Sequence, residues 1–302
     1  ARDNRYKYIR NYQPDKPYDQ YVSYCESWPI MQELRRVHNE GGLNGAQGLF
    51  FRSTKPLEEL YDTESDPHEL NNLAESPEHL EQFDLLRDAM DKWLSASNDL
   101  GVVPETELDR FVPARQPTLT GPSGAKYTVS DTLEKAQIFG KPLRHWIGEL
   151  NGDDVLRRYR AIATIRLCTG DINDLLTKAI EDFDVCIAYW AAIGSGGPHR
   201  HASYLSLMQS LERYSTTIKL AAARGLLNTS SAHSTIAAQA ALNRMTDPNI
   251  FVRLAAAQIL ELVGPMTEDI RAALTRAKND KSDPRDYVAD VARHALGLPP
   301  EH

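Results

Sequence analysis

The sequence predicts two regions of unlike architecture. Residues 1–100 read as an α+β unit, a small antiparallel sheet with a covering helix; residues 131–302 read as an all-α helical repeat; residues 101–130 join them. Three observations carry this division. Residues 1–100 hold 11 Lys+Arg and 19 Asp+Glu, a net of −8, whereas residues 101–302 hold 23 of each, which marks regions of different origin. Pro104, Pro113, Pro117, Gly121, Pro122 and Gly124 crowd the join without sustained periodicity. Proline removes backbone donors and biases its predecessor to extended geometry, so this stretch reads as a tether. Beyond it an alanine-centred pattern recurs five times. A length of 302 residues agrees with two domains.

Composition excludes several classes. Apolar content is 41% and charged content 25%, an ordinary globular balance. Mean hydropathy is −0.47, and no apolar run approaches the roughly 20 residues of a membrane-spanning helix. A net charge of −8 argues against nucleic-acid binding through bulk positive charge. The opening ARDNRYKYIRNY lacks the basic stretch and apolar run of a signal peptide. Cysteines at 25, 168 and 186 form neither a disulfide framework nor a CxxC knuckle, so the redox compartment stays open.

In the first region, Tyr6-Lys7-Tyr8-Ile9-Arg10-Asn11-Tyr12 alternates with period two and predicts a strand. Asp3-Asn4 before it suits a hairpin turn. Only Ala1 and Arg2 precede that turn, so one arm is expected to be missing and the chain to be the C-terminal part of a longer protein. A ragged natural start at an exposed edge strand is the alternative. Pro14 and Pro17 break regular structure. Ile30, Leu34 and Val37 predict a helix over 30–38, ended by Gly41-Gly42. Leu57–Tyr61 is a short strand, and 62–67 a turn. Ser76 and Pro77 open a helix of about 77–95, with Glu78, Glu81 and Asp84 near the positive end of its dipole. Leu80, Phe83, Leu86, Met90 and Trp93 form its expected apolar stripe.

Glu58-Glu59-Leu60-Tyr61-Asp62, Asp66-Pro67-His68-Glu69 and Asn71-Asn72-Leu73-Ala74, in that order, resemble the ELYD…DPxE…NLA segment near the C-terminus of type I, formylglycine-dependent sulfatases. Arg5–Ile9 resembles the strand before it, and Lys92-Trp93-Leu94 the end of the last helix. Tyr21-Val22-Ser23 and Met31-Gln32-Glu33-Leu34 look most like the branch that includes heparan N-sulfatase and bacterial relatives. The resemblance covers residues 1 to about 110. It implies a C-terminal subdomain that packs on an N-terminal catalytic α/β domain as its partner, and a periplasmic or extracellular setting. Such enzymes use a formylglycine made within a C/S-x-P/A-x-R motif, together with calcium. None of Cys25-Glu-Ser-Trp-Pro, Cys168-Thr-Gly-Asp-Ile and Cys186-Ile-Ala-Tyr-Trp fits that motif, and the calcium ligands have no match. Both are expected in the missing domain, and no catalytic or metal residue is assigned here. A sulfate ester or sulfamate needs an activated nucleophile and a cation, so the chain alone is expected to be inactive. Asn11, Lys16 and Tyr21 follow the first strand and are the candidates for a substrate-pocket rim; a solvated loop or sheet packing is the plainer reading.

In the second region, the alanines 161, 191, 222, 256 and 292 each sit in a short helix led by an aliphatic residue, at steps of 30, 31, 34 and 36. Between them lie second helices at Ile172–Ile180, His233–Met245 and Ile270–Lys278, and the turn signals Asp247-Pro248 and Asp283-Pro284 precede the last two cores. The pattern resembles HEAT repeats, slightly shorter than their period of about 40; an irregular helical bundle is the alternative. Such solenoids brace or bind, through a protein partner or self-association. His199 and His201 lack a nearby acidic or cysteine ligand and read as loop. Arg157-Arg158-Tyr159-Arg160, beside Asp153 and Asp154, reads as structural. Asp62–Asp66 hints at a calcium loop, but Pro67 and Leu73 stand where an EF-hand needs Gly and Glu. Two functions follow: part of a sulfatase with a HEAT-like appendage, or a non-enzymatic scaffold carrying a relic sulfatase-like segment.

Overall fold

The computed structural model describes residues 1–26, 28–111, 125–131, 133–196, 204–213, 215–283 and 285–299. It is mostly helical with two small antiparallel sheets, and it divides into two compact units, Ala1–Asp99 and a second from Leu100.

In the first unit β1 (Tyr6–Arg10) runs antiparallel to β2 (Glu58–Asp62), with Tyr8 opposite Leu60. Asp3 Oδ1 accepts the N–H groups of Arg5 and Tyr6 and holds the turn expected at Asp3-Asn4. Beyond that turn, Tyr8 N–H donates to Ala1 O at 2.8 Å. Between the strands lie α1 (Ser23–Glu26), α2 (Pro29–Asn39) and α3 (Gly45–Gly48). Gly41, at φ 72°, ends α2: its N–H reaches His38 O while Gly42 N–H reaches Val37 O. Glycine takes this left-handed position without a Cβ clash. From Asn11 to Leu57 no described residue is fully buried.

A 3-10 turn at Pro77–His79 leads into α4 (Leu80–Ala96). Ser76 does not cap a helix there; its Oγ lies 2.9 Å from His79 Nδ1. Tyr8, Leu60, Phe83 and Leu86 form the core, with Met90 packed against it and the Tyr8 and Phe83 rings edge to face at 5.5 Å. The expected stripe holds at Phe83, Leu86 and Met90 but fails at its ends. Trp93 is 61% exposed and Leu80 50%, while Leu94 is buried. The cause is angular. Eleven residues from Phe83 complete three turns of 3.6 and place Leu94 over it, whereas Trp93 lies about 80° from Phe83, beyond Leu86 at the margin of the stripe.

In the second unit β3 (Gln137–Ile138) and β4 (Lys141–Pro142) make a two-residue hairpin whose turn, Phe139-Gly140, has φ 51° and 70°, as a type I′ turn requires. Then follow α5 (Leu143–Leu150), α6 (Val155–Ile165), α7 (Asn173–Ile180), α8 (Val185–Ser195), α9 (Tyr204–Ser210), α10 (Thr216–Thr229), α11 (Ser234–Leu242), α12 (Ile250–Leu262), α13 (Glu268–Ala277) and α14 (Tyr287–Ala295). Each even-numbered helix packs on the odd-numbered one before it, and α6, α8, α10, α12 and α14 pack successively on each other. The five aligned alanines, one on each of these helices, are all 0% exposed. A Cβ on Gly225 would stand 2.6 Å from Ala192 O, and one on Gly196 2.5 Å from Gly225 O. Only a missing side chain permits that approach of α8 and α10.

The turns entering these helices are built alike. Asp154, Asp184, Ser215 and Asn249 cap α6, α8, α10 and α12 through their side chains. Asp182, Asp247 and Asp283 each accept the N–H two residues on. Arg158 is buried and donates to Leu150 O, and Arg253 donates to Asp247 O at 2.7 Å. Arg158 therefore closes the end of α5, satisfying a carbonyl that a helix C-terminus leaves open, and Arg253 closes the turn that enters α12.

The expected tether at 101–130 differs at both described ends. Val102, Val103 and Pro104 are buried, and so is Tyr127, whose hydroxyl bonds Asp182. Valine and tyrosine bring apolar area that turn residues lack, and proline has no N–H to leave unpaired. Residues 112–124, His199 and His201 lie outside the described residues.

Two glycines give a paired test. Gly225→Ala should cost about 1–3 kcal/mol through overpacking. Gly148→Ala in α5, where a Cβ meets nothing within 4 Å, should gain about 0.5–1 kcal/mol of helix propensity. Chemical denaturation of both variants checks the opposite signs. In α4, Leu94→Ala should cost about 2–5 kcal/mol, whereas Trp93→Ala should stay within about 0.5 kcal/mol, as exposed positions do; thermal melts of the two variants separate them.

Candidate functional site

Strand alternation gives the first unit's sheet two unlike polar faces. Toward α4, Glu58 accepts from the Tyr8 hydroxyl at 2.6 Å and from Arg87 Nε at 2.9 Å. Arg10, on the same face, pairs with Asp91 at 2.6 Å and donates through Nε to the Tyr8 hydroxyl. Burial pushes the Tyr8 phenol well above its ordinary value.

The opposite face centres on Glu59, which is 2% exposed. Asn11 Nδ2 donates to its Oε1 at 2.6 Å and the Tyr61 hydroxyl to its Oε2 at 2.6 Å. Burial raises the phenols of Tyr61 and Tyr18 above their ordinary value, and a hydrogen bond to Glu59 raises each further. The carboxylate is thus held in orientation by neutral donors, an arrangement that organises the loop leaving β1. Asn11 also donates to Pro56 O, tying the start of that loop to its end. Lys55 Nζ lies 5.7 Å from the centre of the Tyr18 ring.

Of the three rim candidates, Asn11 joins this cluster directly. Lys16 sits in a turn where its N–H donates to Gln13 O at 3.2 Å, and Tyr21 precedes α1; both are half-buried. Sequence reasoning missed Glu59, Tyr61 and Tyr18 as a unit. The available signal was the i, i+2 spacing of Glu59 and Tyr61, which puts both on one strand face.

At the end of β2, Asp62 accepts from Arg5 through Nε at 2.9 Å and Nη2 at 2.6 Å, and from the Glu64 N–H. Arg5 holds the Asp62 carboxyl well below the usual carboxylate range. Asp66 Oδ2 accepts the N–H groups of Leu70 and Asn71, and Asn72 Oδ1 that of Leu60. The residues that carry the sulfatase-like pattern thus shape a turn.

Among the described residues no three His, Cys, Asp or Glu converge as a cation site. Cys168 and Cys186 are buried and Cys25 is half-buried. These described residues do not fit a calcium–formylglycine centre. Among the described residues no helix is long and apolar enough to cross a membrane.

No family model matches the chain. Over 108 residues, 36% of the chain, it is 50% identical to an ulvan-active sulfatase of Formosa agariphila, and the match spans 18% of that protein. To a second ulvan-active sulfatase of the same organism it is 30% identical over 99 residues, 33% of the chain and 17% of the relative. A segment of this chain is therefore related to sulfatases, and the chain spans less than a fifth of the length of these curated relatives.

The Asp62 shift has a definite sign. A carboxyl whose folded pKa is depressed contributes stability above its unfolded value, and loses it as pH falls through the folded one. Asp62→Asn should therefore melt lower than the native chain at pH 7, with the gap closing below about pH 4. Melts at a series of pH values check this; a gap independent of pH would remove the assignment.

Proposed function

We propose that this chain is the C-terminal portion of a sulfatase acting on a sulfated polysaccharide of the ulvan kind. The observation that carries the reading is the 50% identity over 108 residues to a protein named for activity on ulvan. That name favours an ulvan-type substrate over the heparan N-sulfatase branch. In this reading residues 1–100 are the C-terminal subdomain, residues 101–130 the junction, and residues 131–302 a HEAT-like module that braces the enzyme or binds a protein. The formylglycine and calcium belong to an N-terminal catalytic domain of the same enzyme, which works outside the cytoplasm. Asn11, held by Glu59, with Lys16 and Tyr21, borders the substrate pocket. Equal positive and negative charge over 101–302 favours bracing or protein contact over steering of a polyanion.

The test compares sulfate release from ulvan by the 302-residue chain and by the complete product of its coding region. The longer product should release sulfate and carry an in-frame C/S-x-P/A-x-R motif, and the 302-residue chain should be inactive. Release by the short chain would overturn the division of labour. A complete product without the motif would leave the scaffold reading.

A further inference from the structure

The segment Leu100–Glu107 lies on the face built by α8, α10 and α12, and each of these helices contributes one polar anchor. Trp190 Nε1 on α8 donates to Val102 O at 2.6 Å. The Thr217 hydroxyl in the first turn of α10 stands 2.5 Å from Glu107 Oε1 and 2.8 Å from Thr106 Oγ1. Asn249, the N-cap of α12, donates through Nδ2 to Thr106 O at 3.4 Å. Two of the anchors therefore read main-chain carbonyls. The third meets a carboxylate at a helix N-terminal turn, where the dipole favours negative charge.

Side chains supply the rest. Val102, Val103 and Pro104 are buried, whereas Glu105 is exposed and Thr106 and Glu107 are half-buried. The Trp190 ring that meets Val102 carries the Arg166 guanidinium 5.0 Å from its centre. The segment is also pre-shaped: Val103 N–H donates to Leu100 O and Glu107 N–H to Pro104 O, each at 2.8 Å.

We infer that this face is a peptide-binding seat that the chain's own residues 100–107 fill in cis. Its ligand class is a turn-forming acidic peptide, with two adjacent β-branched residues followed four to five positions later by Glu. A tethered segment competes at an effective concentration in the millimolar range, so the seat opens to another peptide only when the segment is displaced. This inference is independent of the sulfatase reading.

The test uses the full chain and a fluorescein-labelled synthetic peptide of residues 100–108, followed by fluorescence anisotropy. The chain carrying Val102→Asp and Val103→Asp, in which the segment's own anchor is destroyed, should bind the peptide at least tenfold more tightly than the native chain. Adding Thr217→Val, or replacing the peptide's Glu107 by Lys, should weaken that binding. Equal binding by the native and doubly substituted chains overturns the proposal. So does failure of the doubly substituted chain to bind while it keeps native helical circular dichroism, and so does its failure to fold, since the segment would then be core. Hydrogen exchange on the unaltered chain gives an independent readout. The Val103 and Glu107 amides should exchange well before those of α8 and α10; exchange only with global unfolding would mark a permanent element.

Discussion

The arrangement of the helical unit depends on how closely α6, α8, α10, α12 and α14 approach one another. Five fully buried alanines and the side-chain-free positions at Gly196 and Gly225 set that distance. A larger residue there would part the row, and the odd-numbered helices, each packed on its even-numbered neighbour, would lose their seat. The polar architecture follows from the same spacing. Where helices pack tightly, their ends cannot be solvated freely, so aspartates close the entering turns and Arg158 and Arg253 reach the carbonyls those turns expose.

The sheet unit meets a different constraint. Two strands alone bury little apolar area, and this pair carries charge on both faces. Toward α4 the charges are matched: Glu58 with Arg87, Arg10 with Asp91. On the other face Glu59 is matched by dipoles rather than by a cation. The first face closes a core; the second fixes the two ends of a long connection, because Asn11 bonds both Glu59 and Pro56 O. The sheet thus works as a clamp for residues 12–56, which contribute no fully buried side chain of their own among those described.

Much of this was legible in the residues. Period-two alternation located β1, the short strand expected at Leu57–Tyr61 falls one residue from β2, and the alanine spacing located the even-numbered helices. The ELYD–NLA pattern pointed to sulfatases, a relation that the Formosa agariphila proteins support for a segment of the chain. Three things were not legible, each for a physical reason. Trp93 satisfies an i, i+3 count, yet it falls at the margin of the stripe while Leu94 lies over Phe83, so local spacing misleads at a helix end. Val102, Val103 and Tyr127 sit among turn formers whose composition outweighs three apolar residues, although those residues decide what is buried. Glu59 is charged in sequence and core in structure, because its partners, Asn11 and Tyr18, lie far away along the chain and become neighbours only once β1 and β2 pair.

The successive contacts along the even-numbered row carry an evolutionary consequence. Each helix pair touches its adjoining pairs, so gene segments encoding one whole pair can be duplicated or lost while the remaining surfaces still match. Such a protein is free to change its reach in increments of one pair, and lineages that share the sheet unit are expected to differ in how many increments follow it.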